Sequence, residues 1–262
     1  MKKAKINNNN VLLLITIVLF VAMYLAGCVV YADKGFTRMQ TFLNILISNA
    51  GLISVTCGMT CVMLTGGIDI SVGSLVALDC MIMAVGVEKM GMGSPVLMAF
   101  ILVIGVVFGA VQGFCIAYLE IQPFIVTMAG MFFARGMTAV LSTQQISITS
   151  DALFTKLAGM KVEFPFGGYV NTKGILQVPY VRVTVVVALI VVLAIFFLLN
   201  YTRFGRSIYA VGGNQQSATL MGLDVKKTQL KTYILCSFLT SIGGICFCLN
   251  TMNGTVGQAT GL

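Results

Sequence analysis

Long uncharged apolar runs constrain this chain more than any other feature. Residues 6–32, 39–68 and 90–119 contain no Asp, Glu, Lys or Arg, and the runs 183–202 and 232–262 are equally bare. Each is long enough to hold the ~20 residues with which a helix crosses a ~30 Å hydrocarbon core. The chain is 58% hydrophobic and 9% charged, against roughly a quarter charged in a soluble domain. It must be an integral membrane protein, and an all-α, polytopic transmembrane helical bundle is expected, because helices satisfy their own backbone in lipid. The net charge of +8 reads as orientation in a bilayer rather than nucleic acid binding, since the basic residues sit in loops beside apolar spans.

The one long basic interval, residues 201–231, holds Arg203, Arg206, Lys226, Lys227 and Lys231 against Asp224. The positive-inside tendency places it in the cytoplasm. The N-terminus, with Lys2, Lys3 and Lys5, is cytoplasmic too. Its apolar run exceeds a signal-peptide core of about 7 to 15 residues and is read as a retained first helix. Further helices are expected within 43–64, 72–87, 90–119, 123–141, 183–199 and 232–249. Asp33, Lys34 and Arg38 precede the second helix, and Glu88 and Lys89 follow the third. Residues 142–180, with Lys173, Pro165, Gly167 and Gly168 among their polar and turn residues, form an external loop long enough for short helices or a lid. About seven spans result, in one transmembrane domain over residues 1–262 of a multi-pass protein of the cytoplasmic membrane.

The eight cysteines all lie in apolar stretches and read as small buried hydrophobes. There is no histidine, which removes His-based triads and zinc-hydrolase chemistry. Gly105, Gly109 and Gly113 recur at four-residue spacing and make a ridge for close helix packing. The stretch 65–74, TGGIDISVGS, offers Gly66, Gly67, Asp69, Ser71 and Gly73. Paired glycines there permit an unwound backbone, and Ser71 can start the next helix. Non-helical backbone at membrane depth must be buried or line a wet cavity, so the stretch is either a broken-helix element of a transport pathway or an ordinary turn. Asp79 falls mid-helix, where a carboxylate seeks protein or water. Arg135 either pairs with it or snorkels outward.

Within the basic interval, Ser217, Ala218, Leu220, Met221 and Leu223 supply an apolar stripe for a short amphipathic helix. Asn214 and Gln215 offer caps, and Gly212, Gly213 and Gly222 set the helix off as a knob suited to a groove on a partner. The phosphate-cradling pattern G-x-x-x-x-G-K-[ST] is absent. Any ATP hydrolysis belongs to another subunit.

Three motifs, GGIDISVGSLVAL (66–78), QPFIVTMAGMFFARG (122–136) and RFGRSIYAVGGNQQSATLMGL (203–223), resemble the permeases of bacterial ABC importers for simple sugars. This is the ribose, xylose and galactose group, and the wording is nearest its galactofuranose type. The resemblance implies a ten-helix permease translocating a monosaccharide, so the chain, with about seven, is expected to be incomplete at its C-terminus. It implies no cofactor on this chain. Its expected partners are an ATPase subunit using ATP and magnesium, a second permease in a homo- or heterodimer, an extracytoplasmic sugar-binding protein and membrane lipid, with no nucleic acid. Residues 214–223 would be the coupling helix seated in the ATPase, flanked by Arg203, Gly205 and Arg206. Asp79 departs from the small or apolar residue expected there. An ion-coupled secondary transporter relaying charge through Asp79 is the alternative function.

Overall fold

The computed structural model describes residues 8–31, 36–163, 165, 168–170 and 176–259. The expectations resting on Lys2, Lys3, Lys5, Asp33, Lys34, Gly167, Lys173 and the end at Leu262 lie outside the described residues. In chain order the helices are α1 (Asn8–Val30), α2 (Met39–Leu64), α3 (Val72–Glu88), α4 (Ser94–Ala117), α5 (Pro123–Leu141), α6 (Ala152–Gly159), α7 (Val183–Tyr201), α8 (Arg203–Gly213), α9 (Gln215–Leu220) and α10 (Val225–Thr251). Short strands punctuate the loops: β1 (Ile146–Ser147), β2 (Lys161–Glu163), β3 (Tyr169–Val170), β4 (Leu176–Gln177), β5 (Tyr180–Arg182) and β6 (Asn253–Gly254). The protein is an all-α membrane bundle. Among the described residues six helices, α1, α2, α4, α5, α7 and α10, are long and apolar enough to cross a membrane.

Two units are distinguishable, Met1–Ile45 with Glu163–Tyr180, and Leu46–Val162 with Val181–Leu262. In the first, Tyr24 packs against Phe36 and Phe42 at ring-centroid distances of 5.5 and 6.0 Å. The Gln40 amide accepts from the Tyr180 N–H at 2.8 Å and donates to its carbonyl at 3.3 Å. Strands β3 and β4 pair as an antiparallel hairpin.

In the second unit α10 is the axis. Its face of small residues meets the glycine ridge of α4, where a Cβ on Gly109 would stand 2.6 Å from the Tyr233 carbonyl oxygen and one on Gly113 3.0 Å from that of Leu230. The ridge is a packing device, as its spacing predicts. The other side of α10 takes α2, with Gly51 against Gly243. Helix α3 also packs on α10. It is 17 residues long, about 25 Å at 1.5 Å per residue, with every residue buried except Ile82 and Glu88. A helix apolar on all sides belongs inside protein.

The contacts at the helix ends agree with alternate crossing. At one end the close of α4 meets the start of α10 through Glu120 and Lys226, 2.9 Å apart. At the other, Glu88 accepts hydrogen bonds from the Thr149 and Ser150 backbone, and β1 pairs antiparallel with β6. The fifth helix occupies the expected bounds, with Pro123 in its first turn. Two expectations are corrected. The last helix begins at Val225 rather than near residue 232, because Asp224 caps it and charged residues extend a helix into interfacial water. Residues 203–213 form a helix, α8, that hydrophobic runs alone do not reveal.

Candidate functional site

Three caps cut the basic interval into helices. Thr202 accepts from the Gly205 N–H at 3.1 Å and starts α8, Asn214 accepts from Ser217 N–H at 2.9 Å and starts α9, and Asp224 accepts from Lys227 N–H at 2.9 Å and starts α10. Gly222, at φ +80, supplies the left-handed turn between α9 and α10. Arg203, Arg206, Gly213 and Asn214 are exposed, whereas Gly205 is buried where α8 folds back on the Leu198 and Leu199 carbonyls.

The apolar stripe expected over 217–223 does not form one face. Ala218 is buried and Leu223 half-buried, while Leu220 and Met221 stand 90% and 70% exposed. The helix ends at Leu220 and Met221 is its C-cap, so helical periodicity does not carry through. The result is a short element anchored by Ala218 and tipped with two exposed apolar side chains. Its neighbour α8 ends against the close of α2, where a Cβ on Gly212 would collide with the Leu64 carbonyl.

That carbonyl opens the break between α2 and α3. Residues 65–71 are non-helical, with Gly66 at φ +79. Thr65, Asp69 and Ser71 are buried. Ser71 is the N-cap residue of α3, as expected, but its hydroxyl makes no cap hydrogen bond. It donates to Asp69 Oδ1 at 2.6 Å, and the Ser71 N–H reaches the same oxygen at 2.9 Å. Gln112 donates to the Ser71 hydroxyl at 3.0 Å, and Gly73 lies buried in the first turn of α3. A cavity of about 730 Å³ opens beside the break, lined by Thr65, Gly66, Gly67 and residues of α4, α9 and α10. Of the two readings of this stretch, the geometry is that of unwound backbone on a polar cavity. A second cavity, about 790 Å³ between α4 and α5, has an almost wholly apolar lining, including Phe100, Phe108 and Phe133. It suits lipid rather than a hydroxylated solute.

Asp79 and Arg135 do not meet. Arg135 donates to the Val256 and Gln258 carbonyls at 2.8 and 2.9 Å, pinning the turn after β6. Asp79 is buried against Gly244, with the Ser241 hydroxyl nearby, and neither carboxylate oxygen makes a hydrogen bond. It lines neither cavity. The cysteines at 61, 80, 236, 246 and 248 are buried as expected, whereas Cys28, Cys57 and Cys115 are only half-buried, which corrects the expectation for those three. The motifs passed over Tyr233 and Gln229 on α10, although polar uncharged residues beside an apolar span were the available signal.

Residues 41–261 match the family described as the branched-chain amino acid transport system permease component. The chain belongs to this permease family. Its relatives include the inner membrane ABC transporter permease protein YjfF of Escherichia coli K12, 37% identical over 94% of this chain and 70% of the relative. The fructose import permease protein FruG of Bifidobacterium longum is 33% identical over 98% and 73%, and the ribose import permease protein RbsC of E. coli K12 is 35% identical over 87% and 67%. No solved structure matches. The permease is thus a transport subunit, as its motifs imply.

Proposed function

We propose that this permease carries a monosaccharide across the cytoplasmic membrane as the membrane subunit of an ATP-driven importer. The sugar is delivered by an extracytoplasmic binding protein, and ATP is hydrolysed with magnesium by a separate ATPase. A second permease completes the assembly, and no cofactor binds this chain. The sugar class rests on the printed functions of the relatives, ribose and fructose import among them. The N-terminus and residues 201–231 face the cytoplasm on the charge pattern.

One observation carries the mechanism: α8 ends against the Leu64 carbonyl at Gly212, so the basic element touches the break beside the polar cavity. The exposed Leu220 and Met221 tip docks in a groove of the ATPase, and displacement of α8 and α9 bears on residues 65–71. ATP can drive this only if the ATPase grips the tip differently in its two states, since equal affinity shifts nothing.

The test is sugar uptake by the full-length permease reconstituted with its ATPase and binding protein. Leu220→Glu should leave folding within about 0.5 kcal/mol of wild type, as exposed positions do. It should reduce uptake ~tenfold or more, the scale of a lost apolar anchor at an interface. Normal uptake by this variant would show that docking lies elsewhere.

A further inference from the structure

The polar cavity has a composition that its position alone does not require. Beside apolar residues such as Ile116, Ile121, Leu223 and Val225, seven uncharged polar side chains line it, those of Thr65, Gln122, Gln215, Gln216, Thr219, Gln229 and Tyr233. Its acidic and basic groups are paired: Lys226 with Glu120 at 2.9 Å, and Asp224 with Lys227 at 3.0 Å. Amides and hydroxyls both donate and accept, as sugar hydroxyls do. A lining of this kind, with its charges neutralised in pairs, fits a neutral polyhydroxylated solute better than an ion or an apolar molecule. At about 730 Å³ it is within the usual range for a small-molecule site.

Tyr233, itself buried, lines the cavity and donates its hydroxyl to the Ile68 carbonyl. At 3.3 Å that bond is long for an O–H donor and opens at little cost. The residue after Ile68 is Asp69, fully buried, with Oδ1 held by Ser71 and Oδ2 making no hydrogen bond. The Cys236 thiol beside the carboxylate is a weak donor only. An unsatisfied buried carboxylate oxygen is costly and rare, and a partner that comes and goes accounts for it.

Resting on the importer reading, we infer that this cavity is the cytoplasmic exit vestibule for the sugar, that Tyr233 is its gate, and that Asp69 Oδ2 accepts sugar hydroxyls when the gate opens. Because Gln215, Gln216 and Thr219 belong to α9, the element that docks the ATPase is also one wall of the exit.

The test uses the full-length permease with its ATPase and binding protein in proteoliposomes, with a radiolabelled sugar that the wild type imports. Asp69→Asn keeps an acceptor at Oδ1 for the Ser71 N–H and hydroxyl, and it replaces the free Oδ2 by an amide donor while removing the carboxylate's charge. Maximal uptake should fall ~tenfold, the scale of a lost hydrogen bond to a charged acceptor, while ATP hydrolysis stimulated by the binding protein stays within about twofold. Gln229→Trp, at a half-buried position in open space, should block uptake with the same ATPase behaviour, and Gln229→Ala should restore most of it. Uptake within twofold of wild type in Gln229→Trp overturns the exit path, and in Asp69→Asn overturns the acceptor role. Absence of any monosaccharide uptake by the wild type instead overturns the importer reading, and this inference with it.

Discussion

Asp151 shows how much one half-buried carboxylate organises. Its Oδ1 accepts from the Leu153 and Phe154 N–H groups at 2.7 and 3.1 Å and caps α6, while Oδ2 accepts from the Ser94 N–H at 2.8 Å and ties that loop to the start of α4. The Ser94 bond, followed by those at the cap, holds its carboxyl below the usual range. A group whose folded pKa is depressed contributes stability that is full above its unfolded value, near 3.9 for Asp, and is lost as pH falls through the folded value. Hydrogen exchange at residues 152–159 should therefore be flat from pH 7 to about 5, after correction for intrinsic rates, and protection should fall below about pH 4. Asp151→Ala should lower that protection at neutral pH by about 0.5–2 kcal/mol, the range of an N-cap. Its role escaped the sequence reading because both hydrogen-bonded groups at its cap are local while Ser94 lies 57 residues away.

Among the elements, α4 and α10 are joined by a close backbone contact. Gly109→Ala places a methyl 2.6 Å from the Tyr233 carbonyl oxygen and 2.8 Å from Ile234 Cα. Both are backbone atoms that cannot rotate aside, so the variant should lose about 1–3 kcal/mol, the usual cost of overpacking. Gly109→Leu should not fold. Thermal unfolding in detergent distinguishes the two, and an unchanged transition in Gly109→Ala would show that the helices separate freely. This interface was legible beforehand, because four-residue glycine spacing marks one helical face whatever lies opposite. The bounds of α5 were legible for a similar reason, with Pro123 and a uniform apolar run marking its limits. Helix α8 was missed although Gly205, Ile208 and Val211 recur at helical spacing on its buried face, because a short amphipathic period inside a basic interval does not register as an apolar run. The unwound 65–71 stretch stayed open between two readings until the packing of Tyr233 and Gln112 around it was known. The glycine-rich break was legible as a motif, but the glutamines that line the cavity come from three separate segments, at 122, 215–216 and 229.

At the scale of the molecule, the contacts at helix ends divide the second unit between a basic end and an end bearing α6, β1 and β6. With the basic end in the cytoplasm, Ser150→Cys should react with a membrane-impermeant thiol reagent in intact cells, or in spheroplasts where an outer membrane intervenes. Leu220→Cys should react only after permeabilisation. The opposite labelling pattern would invert the topology. Cys61, Cys80, Cys236, Cys246 and Cys248 are buried, so the background to remove by substitution is that of the half-buried Cys28, Cys57 and Cys115.

The burial of α3 has a consequence for synthesis. This 17-residue helix carries Asp79, so it is a poor candidate for independent insertion by the translocation machinery. One of its contacts, from Cys80 to the Gly244 carbonyl, spans 164 residues. For the time a ribosome takes to make that length, about 8–30 s at 5–20 residues per second, α3 lacks its α10 neighbour, and a chain stalled in that interval exposes a short helix with an unpartnered carboxylate to membrane proteases.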